Sequence, residues 1–152
     1  MRFLLLTVLV IAWNHSQAQR YQKIELVNGS FEGIPAAGAN FAGWTDCARI
    51  VFPNESPPDI QPFPGQTWSV EYEPTHGQTY MGMVARDDET WEFVSQRLAS
   101  SLQQGKCYAL SMDLMQASVY RSQSRVQKGK TINYNGPLKI RIWGGIGYCQ
   151  KK

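Results

Sequence analysis

Carboxylates stand close together at two places in this sequence. Glu71 and Glu73 alternate onto one face of a candidate strand, about 7 Å apart, which is compatible with the carboxyl pair of an inverting glycoside hydrolase. Asp87, Asp88, Glu89 and Glu92 form a second acidic cluster, and a solvated hairpin tip explains the run from Arg86 to Glu89 more simply. No Gly-x-Ser-x-Gly motif is present, and His76 lies in a turn-like Pro-Thr-His-Gly run. The pattern favours a protein that is not an enzyme.

Aromatic side chains near basic ones offer a different chemistry. Trp143 alternates onto the strand face that carries Arg141, opposite Leu138, Ile140 and Ile142. Trp91 and Tyr120 stand near strand ends beside loops. Flat rings can stack on sugar rings while guanidinium groups bind the hydroxyls. The plainer explanation of these aromatic residues is that they are buried under a loop. The candidate carbohydrate-binding residues are Trp143, Arg141, Trp91 and Tyr120.

Three cysteines, Cys47, Cys107 and Cys149, bear on compartment and folding. A disulfide is expected in an exported protein, and an odd count leaves one thiol over. If the strands that begin at Cys107 and end near Gly144 are antiparallel neighbours, Cys107 pairs with Cys149 and Cys47 stays free.

Residues 1–18 have the pattern of a secretion signal. A basic start precedes an uncharged run over residues 3–13, and small residues stand at Ser16 and Ala18. The run is shorter than the ~20 residues of a membrane-spanning helix, and no later run is long enough. We therefore expect a secreted or cell-surface protein whose residues 19–152 form one domain.

The charges are distributed unevenly, although the formal net charge is only +3. The acids concentrate in residues 19–100, whereas residues 101–152 contain nine bases and one acid, Asp113. This asymmetry fits a basic binding surface, or two halves that pack together and neutralise each other. Nothing in it points to nucleic acid.

Alternation with period two is the main structural pattern. It predicts six strands, separated by turn residues, and hence an all-β sandwich: Lys23 to Val27, Trp68 to Tyr72, Gln78 to Arg86, Phe93 to Leu98, Cys107 to Met115 and Leu138 to Trp143. Two other segments, Gly33 to Thr67 and Ala117 to Gly136, are predicted to be irregular because they are rich in proline or in polar residues.

Several runs resemble carbohydrate-binding modules of the galactose-binding-like jelly-roll type. They are LVNGSFE (26–32) with Gly43-Trp44, SQRL (95–98) and GKCY (105–108). GWTDC, PPDIQP, HGQTYMGMVARDDETWE and LKIRIWGG are similar to runs in the N-terminal β-domains of Bacteroidetes-type secreted and surface proteins. The resemblance implies a jelly roll that binds a polysaccharide or other glycan, and a structural calcium ion with Glu32 among its ligands.

The resemblance also implies strands beyond Cys149 that this sequence does not have. We therefore expect a jelly roll lacking its C-terminal strands, with Leu110 and Ile140 more exposed than core residues. The predicted function is a non-catalytic carbohydrate-binding-like module of a secreted or cell-surface protein. Its expected partners, besides the glycan, include other domains of a surface assembly. A structural or adhesive spacer domain is the alternative, and a glycoside hydrolase comes third.

Overall fold

The computed structural model describes residues 23–48, 57–63, 68–70 and 72–149. The predicted signal segment, parts of the long proline-rich loop and Glu71 lie outside the described residues. In the part that is described, the chain has no helix and is mostly β, with six short strands. No helix suited to crossing a bilayer occurs among these residues.

The strands form three antiparallel two-stranded sheets. Strand β1 (Thr45–Asp46) pairs with β4 (Val94–Ser95). Strand β2 (Asp59–Gln61) pairs with β3 (Tyr80–Gly82). Strand β5 (Arg121–Gln123) pairs with β6 (Thr131–Asn133). No sandwich topology joins these sheets among the described residues.

The buried core surrounds β2. Its apolar members include Phe41, Pro58, Ile60 and Val84. The backbone of Ile60 exchanges two hydrogen bonds with Ala36, at 2.9 and 3.1 Å, so the loop before β2 is fixed to it. All three residues of β2 are buried, which makes β2 the most enclosed strand and places Asp59 in the interior.

Two of the predicted strands contain observed strands, and the irregular segments contain the others. Strand β3 lies within Gln78 to Arg86 and β4 within Phe93 to Leu98, as predicted. The prediction of irregular structure was wrong for β1 and β2, and for the hairpin of β5 and β6. Strand β2 is only three residues long beside prolines, and the hairpin is polar, so neither has a hydrophobic alternation to reveal it.

The predicted strands at 107–115 and 138–143 form no ladder. These two extended segments, here called the first and second arm, expose their apolar side chains. Leu110 is 55% exposed and Ile140 is 59% exposed, which confirms the exposure expected for both. Residues 23–27 also form no strand. The predicted strand at residues 68–72 is absent from its described part as well.

The disulfide links Cys149 to Cys47, with their Cα atoms 5.2 Å apart. The predicted pairing of Cys107 with Cys149 was therefore wrong, and Cys107 is the exposed free cysteine among the described residues. The prediction assumed a ladder between the two arms, which does not form. Cys47 instead follows β1, near which the end of the second arm returns. A disulfide is typical of an exported protein.

Candidate functional site

A cleft of about 180 Å³ lies between β2, the hairpin at residues 85–91 and the β5–β6 hairpin. Its lining combines acidic, basic and aromatic side chains, the most prominent being Asp59, Trp68, Arg86, Glu92, Tyr120 and Tyr134. A concave site in which few polar groups converge is the usual form of a small-ligand site.

A buried ion pair forms one wall of the cleft. The Arg86 guanidinium donates to Glu92 Oε1, and the backbone N–H of Val84 donates to Glu92 Oε2 over 3.1 Å. The two charged residues face each other because Ala85 and Trp91 bridge across a tight hairpin. Within this hairpin, Arg86 N–H donates to the Thr90 carbonyl at 2.8 Å. The pair therefore holds both side chains in fixed positions.

Asp59 supplies a second carboxyl group to the same cleft. Its Oδ1 accepts from the Gly38 N–H at 2.8 Å, while Oδ2 has no hydrogen-bond partner among the described residues. Burial raises the pKa of Asp59 to about 6 and that of Glu92 to about 7, against the opposing effect of Arg86. Asp59 can consequently carry a proton at mildly acidic pH and donate to a ligand oxygen.

Aromatic rings form the opposite wall. Tyr120 stacks on Trp68 with centroids 5.8 Å apart and an interplanar angle of 8°. Tyr134 meets Tyr120 edge-on at 6.3 Å, and Phe63 flanks Trp68 at 5.9 Å. The Arg121 N–H donates to the Trp68 carbonyl at 3.0 Å, which fixes Trp68 to the start of β5. The Tyr120 hydroxyl makes no hydrogen bond to another described residue.

Asp87, at the tip of the 85–91 hairpin, joins that hairpin to β5–β6. It accepts from the Ser124 hydroxyl at 2.6 Å, the Arg125 N–H at 2.9 Å and the Tyr134 hydroxyl at 2.9 Å. These hydrogen bonds, that of Ser124 first, lower the pKa of Asp87 to about 2. Burial, together with the hydrogen bond from its hydroxyl to Asp87, raises the pKa of Tyr134 to about 12. The two hairpins are therefore clamped together at the rim of the cleft.

The residues predicted from the sequence to bind carbohydrate are separated in the structure. Tyr120 lines the cleft. Trp91 is half exposed at the base of the 85–91 hairpin. Trp143 and Arg141 belong to the exposed second arm and do not line the cleft. The structure thus brings one of the four into a concave site.

Glu32, the predicted calcium ligand, holds two segments together. Its Oε2 accepts from the Gln78 N–H at 3.0 Å, which is the main reason that its pKa is lowered. Its Oε1 is buried and has no hydrogen-bond partner among the described residues. In this part of the chain no three acidic, His or Cys side chains are grouped for a metal, whereas calcium takes six to eight oxygens. Calcium binding stays a prediction, and nothing below depends on it.

The sequence analysis missed Asp59, Trp68, Arg86, Glu92 and Tyr134. Arg86 stood in what was interpreted as a solvated hairpin tip, and Glu92 in the acidic cluster beside it. One signal could have separated them from it: in a tight hairpin with Ala85 opposite Trp91, Arg86 and Glu92 share a face and are diagonal neighbours across the strands. A buried Asp in a run between prolines carries no comparable pattern.

Comparison with protein-family models, with curated proteins and with solved structures finds no match to this chain.

Proposed function

We propose that this protein is a non-catalytic carbohydrate-binding-like module of a secreted or cell-surface protein, with a fold of the jelly-roll type, and that the cleft holds its sugar. The observation that carries the proposal is the convergence of the Trp68–Tyr120 stack with the buried Arg86–Glu92 pair and Asp59 in one cavity. Aromatic rings supply an apolar wall for the C–H face of a sugar. The charged groups supply donors and acceptors for its hydroxyls.

The charges of the cleft favour a neutral sugar. Two carboxyl groups, on Asp59 and Glu92, face it, and the Arg86 guanidinium is already paired with Glu92. An acidic sugar would bring a third carboxylate beside these two. A neutral hydroxyl, in contrast, can accept from Tyr120 or from protonated Asp59 and brings no further charge. Because the cavity is small, we expect it to bind one sugar unit of a chain.

A binding role fits these groups better than hydrolysis. A glycoside hydrolase needs one carboxyl group free to protonate the leaving oxygen and a second free to activate water or attack the sugar. Glu92 has both oxygens engaged, by Arg86 and by the Val84 N–H. Only Asp59 retains a free oxygen, so the cleft offers one available carboxyl group where hydrolysis requires two.

The test is affinity electrophoresis of the secreted protein in gels that contain neutral polysaccharides, with a polyuronate for comparison. We expect at least one neutral polysaccharide to retard the protein. Tyr120→Ala should weaken the affinity behind that retardation about fivefold, because a stacking ring contributes about 1 kcal/mol. Tyr148→Ala removes an exposed tyrosine and is the matched control.

Two further variants keep the proposal falsifiable. Asp59→Asn retains an acceptor for the Gly38 N–H and tests the same cleft if Tyr120→Ala does not fold. Trp143→Ala tests the second arm, where the sequence placed the site. Retardation that survives Tyr120→Ala and Asp59→Asn but disappears with Trp143→Ala would contradict the proposal, and so would retardation by the polyuronate alone.

A further inference from the structure

In each arm apolar residues alternate with other residues, so an extended backbone would give the arm one apolar face. In the β5–β6 ladder Arg121 faces Asn133 and Gln123 faces Thr131. The ladder ends with the pairing of Arg121 and Asn133 and does not continue into the arms. The Gln116 side chain donates to the carbonyls of Asn135 and Gly136, at 2.7 and 2.9 Å, so the arms still run together just beyond the ladder.

This apolar face is open to solvent. Leu114 and Ile142 are each 64% exposed. The arm backbones also form no ladder, so their N–H and C=O groups have no strand partner. Open strand edges beside exposed apolar residues are a template for pairing with another strand. Addition of a strand would pair the open backbone groups and would also cover the apolar side chains. The incoming backbone would form a ladder with the arm, and its alternate side chains would lie on the apolar face.

The polar face of the second arm selects the partner. Lys139 and Arg141 lie on that face, and neither forms an ion pair with a carboxylate of the described residues. In the first arm, by contrast, the charged residue Asp113 has a neighbour, since its Oδ2 lies 3.4 Å from His76 Nε2. The second arm is consequently the edge with unmet positive charge. An incoming strand with acidic residues on this face would place opposite charges across the ladder.

Pairing of the second arm with its own copy is disfavoured by the same charges. An antiparallel pair centred on Ile140 would put Lys139 of one copy opposite Arg141 of the other. Like charges directly opposite each other destabilise a ladder. We propose that the second arm accepts a β-strand of another polypeptide, whose side chains alternate between apolar residues facing Ile140 and acidic residues facing Lys139 and Arg141. This docking edge is separate from the cleft and does not depend on the sugar.

The probe is a nine-residue peptide of alternating valine and glutamate, compared with the corresponding valine and lysine peptide. Binding to the secreted protein is measured by fluorescence anisotropy, and amide hydrogen exchange reports on residues 138–143. We expect the glutamate peptide to protect these amides and to bind at least about tenfold more tightly than the lysine peptide. Lys139→Glu with Arg141→Glu should reverse that preference.

The matched control is Lys128→Glu with Lys130→Glu, which makes the same charge change in the β5–β6 turn. It should leave the preference for glutamate intact. Equal binding of both peptides, or no protection of residues 138–143 by either, would overturn the proposal. Protection that arises from dimerisation without peptide would also overturn it, since a second copy would then be the occupant.

Discussion

At the residue scale, the sequence identified a ring of the cleft but not its charged groups. Tyr120 could be predicted because an aromatic residue at a strand end beside a loop is a recognisable pattern. Glu92 could not, because it resembles its exposed neighbours until Arg86 and Val84 enclose both of its oxygens. Whether a carboxyl group is solvated or buried depends on long-range packing, which a local acidic pattern does not contain.

The buried carboxyl groups predict an unusual dependence of stability on pH. The folded state keeps a proton on Asp59 up to about pH 6, whereas the unfolded chain releases it near pH 4. Between these values the unfolded state binds fewer protons, so the free energy of unfolding falls as pH rises, by about 3 kcal/mol in total for Asp59. Glu92 extends the decline toward pH 7. Urea unfolding at pH values from 4 to 8 measures this.

Asp59→Asn should remove about half of the decline between pH 4 and 6, because the amide does not titrate and still accepts from Gly38, while buried Glu92 accounts for the rest. Glu89→Gln changes an exposed carboxyl group in the 85–91 hairpin and should leave the dependence of stability on pH as it is. A parent protein whose stability rises from pH 4 to 6 would show that Asp59 is ionised without cost, contrary to its burial.

At the scale of elements, strands of two or three residues depend on side chains to hold them in place. The contact between the turn at residues 28–32 and the start of β3 is an example. Asn28 Oδ1 accepts from the Glu32 N–H at 2.7 Å, and the Thr79 hydroxyl donates to the Phe31 carbonyl at 2.8 Å. With the bond from Gln78 to Glu32, these contacts fix the 28–32 turn against the start of β3.

Gly77 is the tightest point of that junction. Its φ is +72°, and a Cβ there would overlap the Glu32 carboxylate. Gly105 has a similar φ of +76° but open space around it, so Gly105→Ala should cost only the strain of a left-handed alanine, about 1–2 kcal/mol. Gly77→Ala should cost more, because Glu32 must leave its partners on Gln78 and Thr79. Denaturant midpoints of the two variants give the comparison, and equal losses would show that Glu32 does not hold this turn.

The alternating arms show how far element prediction could go. Alternation at 107–115 and 138–143 predicted strands, and neither segment forms one. It could not show whether a neighbouring strand is present, and without one an alternating segment is an exposed arm. Conversely, β5 and β6 form because their ends are tied by Tyr134 and Tyr120, whose backbones bond at 2.8 Å. Their polar sequence gives no local sign of pairing.

At the scale of the whole molecule, the acidic and basic halves meet through specific contacts. Asp87 of the acidic half accepts from Ser124 and Arg125 of the basic half, and the disulfide connects Cys47 to Cys149 across a separation of 102 residues. The sequence predicted a β-rich exported protein with a disulfide. It could not choose the pairing, because three cysteines leave several possibilities open.

The disulfide predicts a large effect on stability. Closing a loop of this length stabilises the folded state by up to about 4.7 kcal/mol on the chain-entropy model, less any strain. Cys149→Ser should lower the free energy of unfolding by roughly 2–4 kcal/mol, whereas Cys107→Ser should change it little. Peptide mapping without reduction should recover Cys47 joined to Cys149 and alkylated Cys107. A linked peptide that contains Cys107 would contradict this arrangement.

The most direct test of the central claim, that the cleft binds a neutral sugar, is an NMR titration of the ¹⁵N-labelled protein. The ligand is a neutral oligosaccharide from a polysaccharide that retards the protein in gels. We predict saturable shifts of the Trp68 indole N–H and of backbone amides at Arg86, Glu92 and Tyr120, with residues 138–143 unchanged. Shifts confined to the second arm around Trp143, with the cleft signals unmoved, would contradict the account.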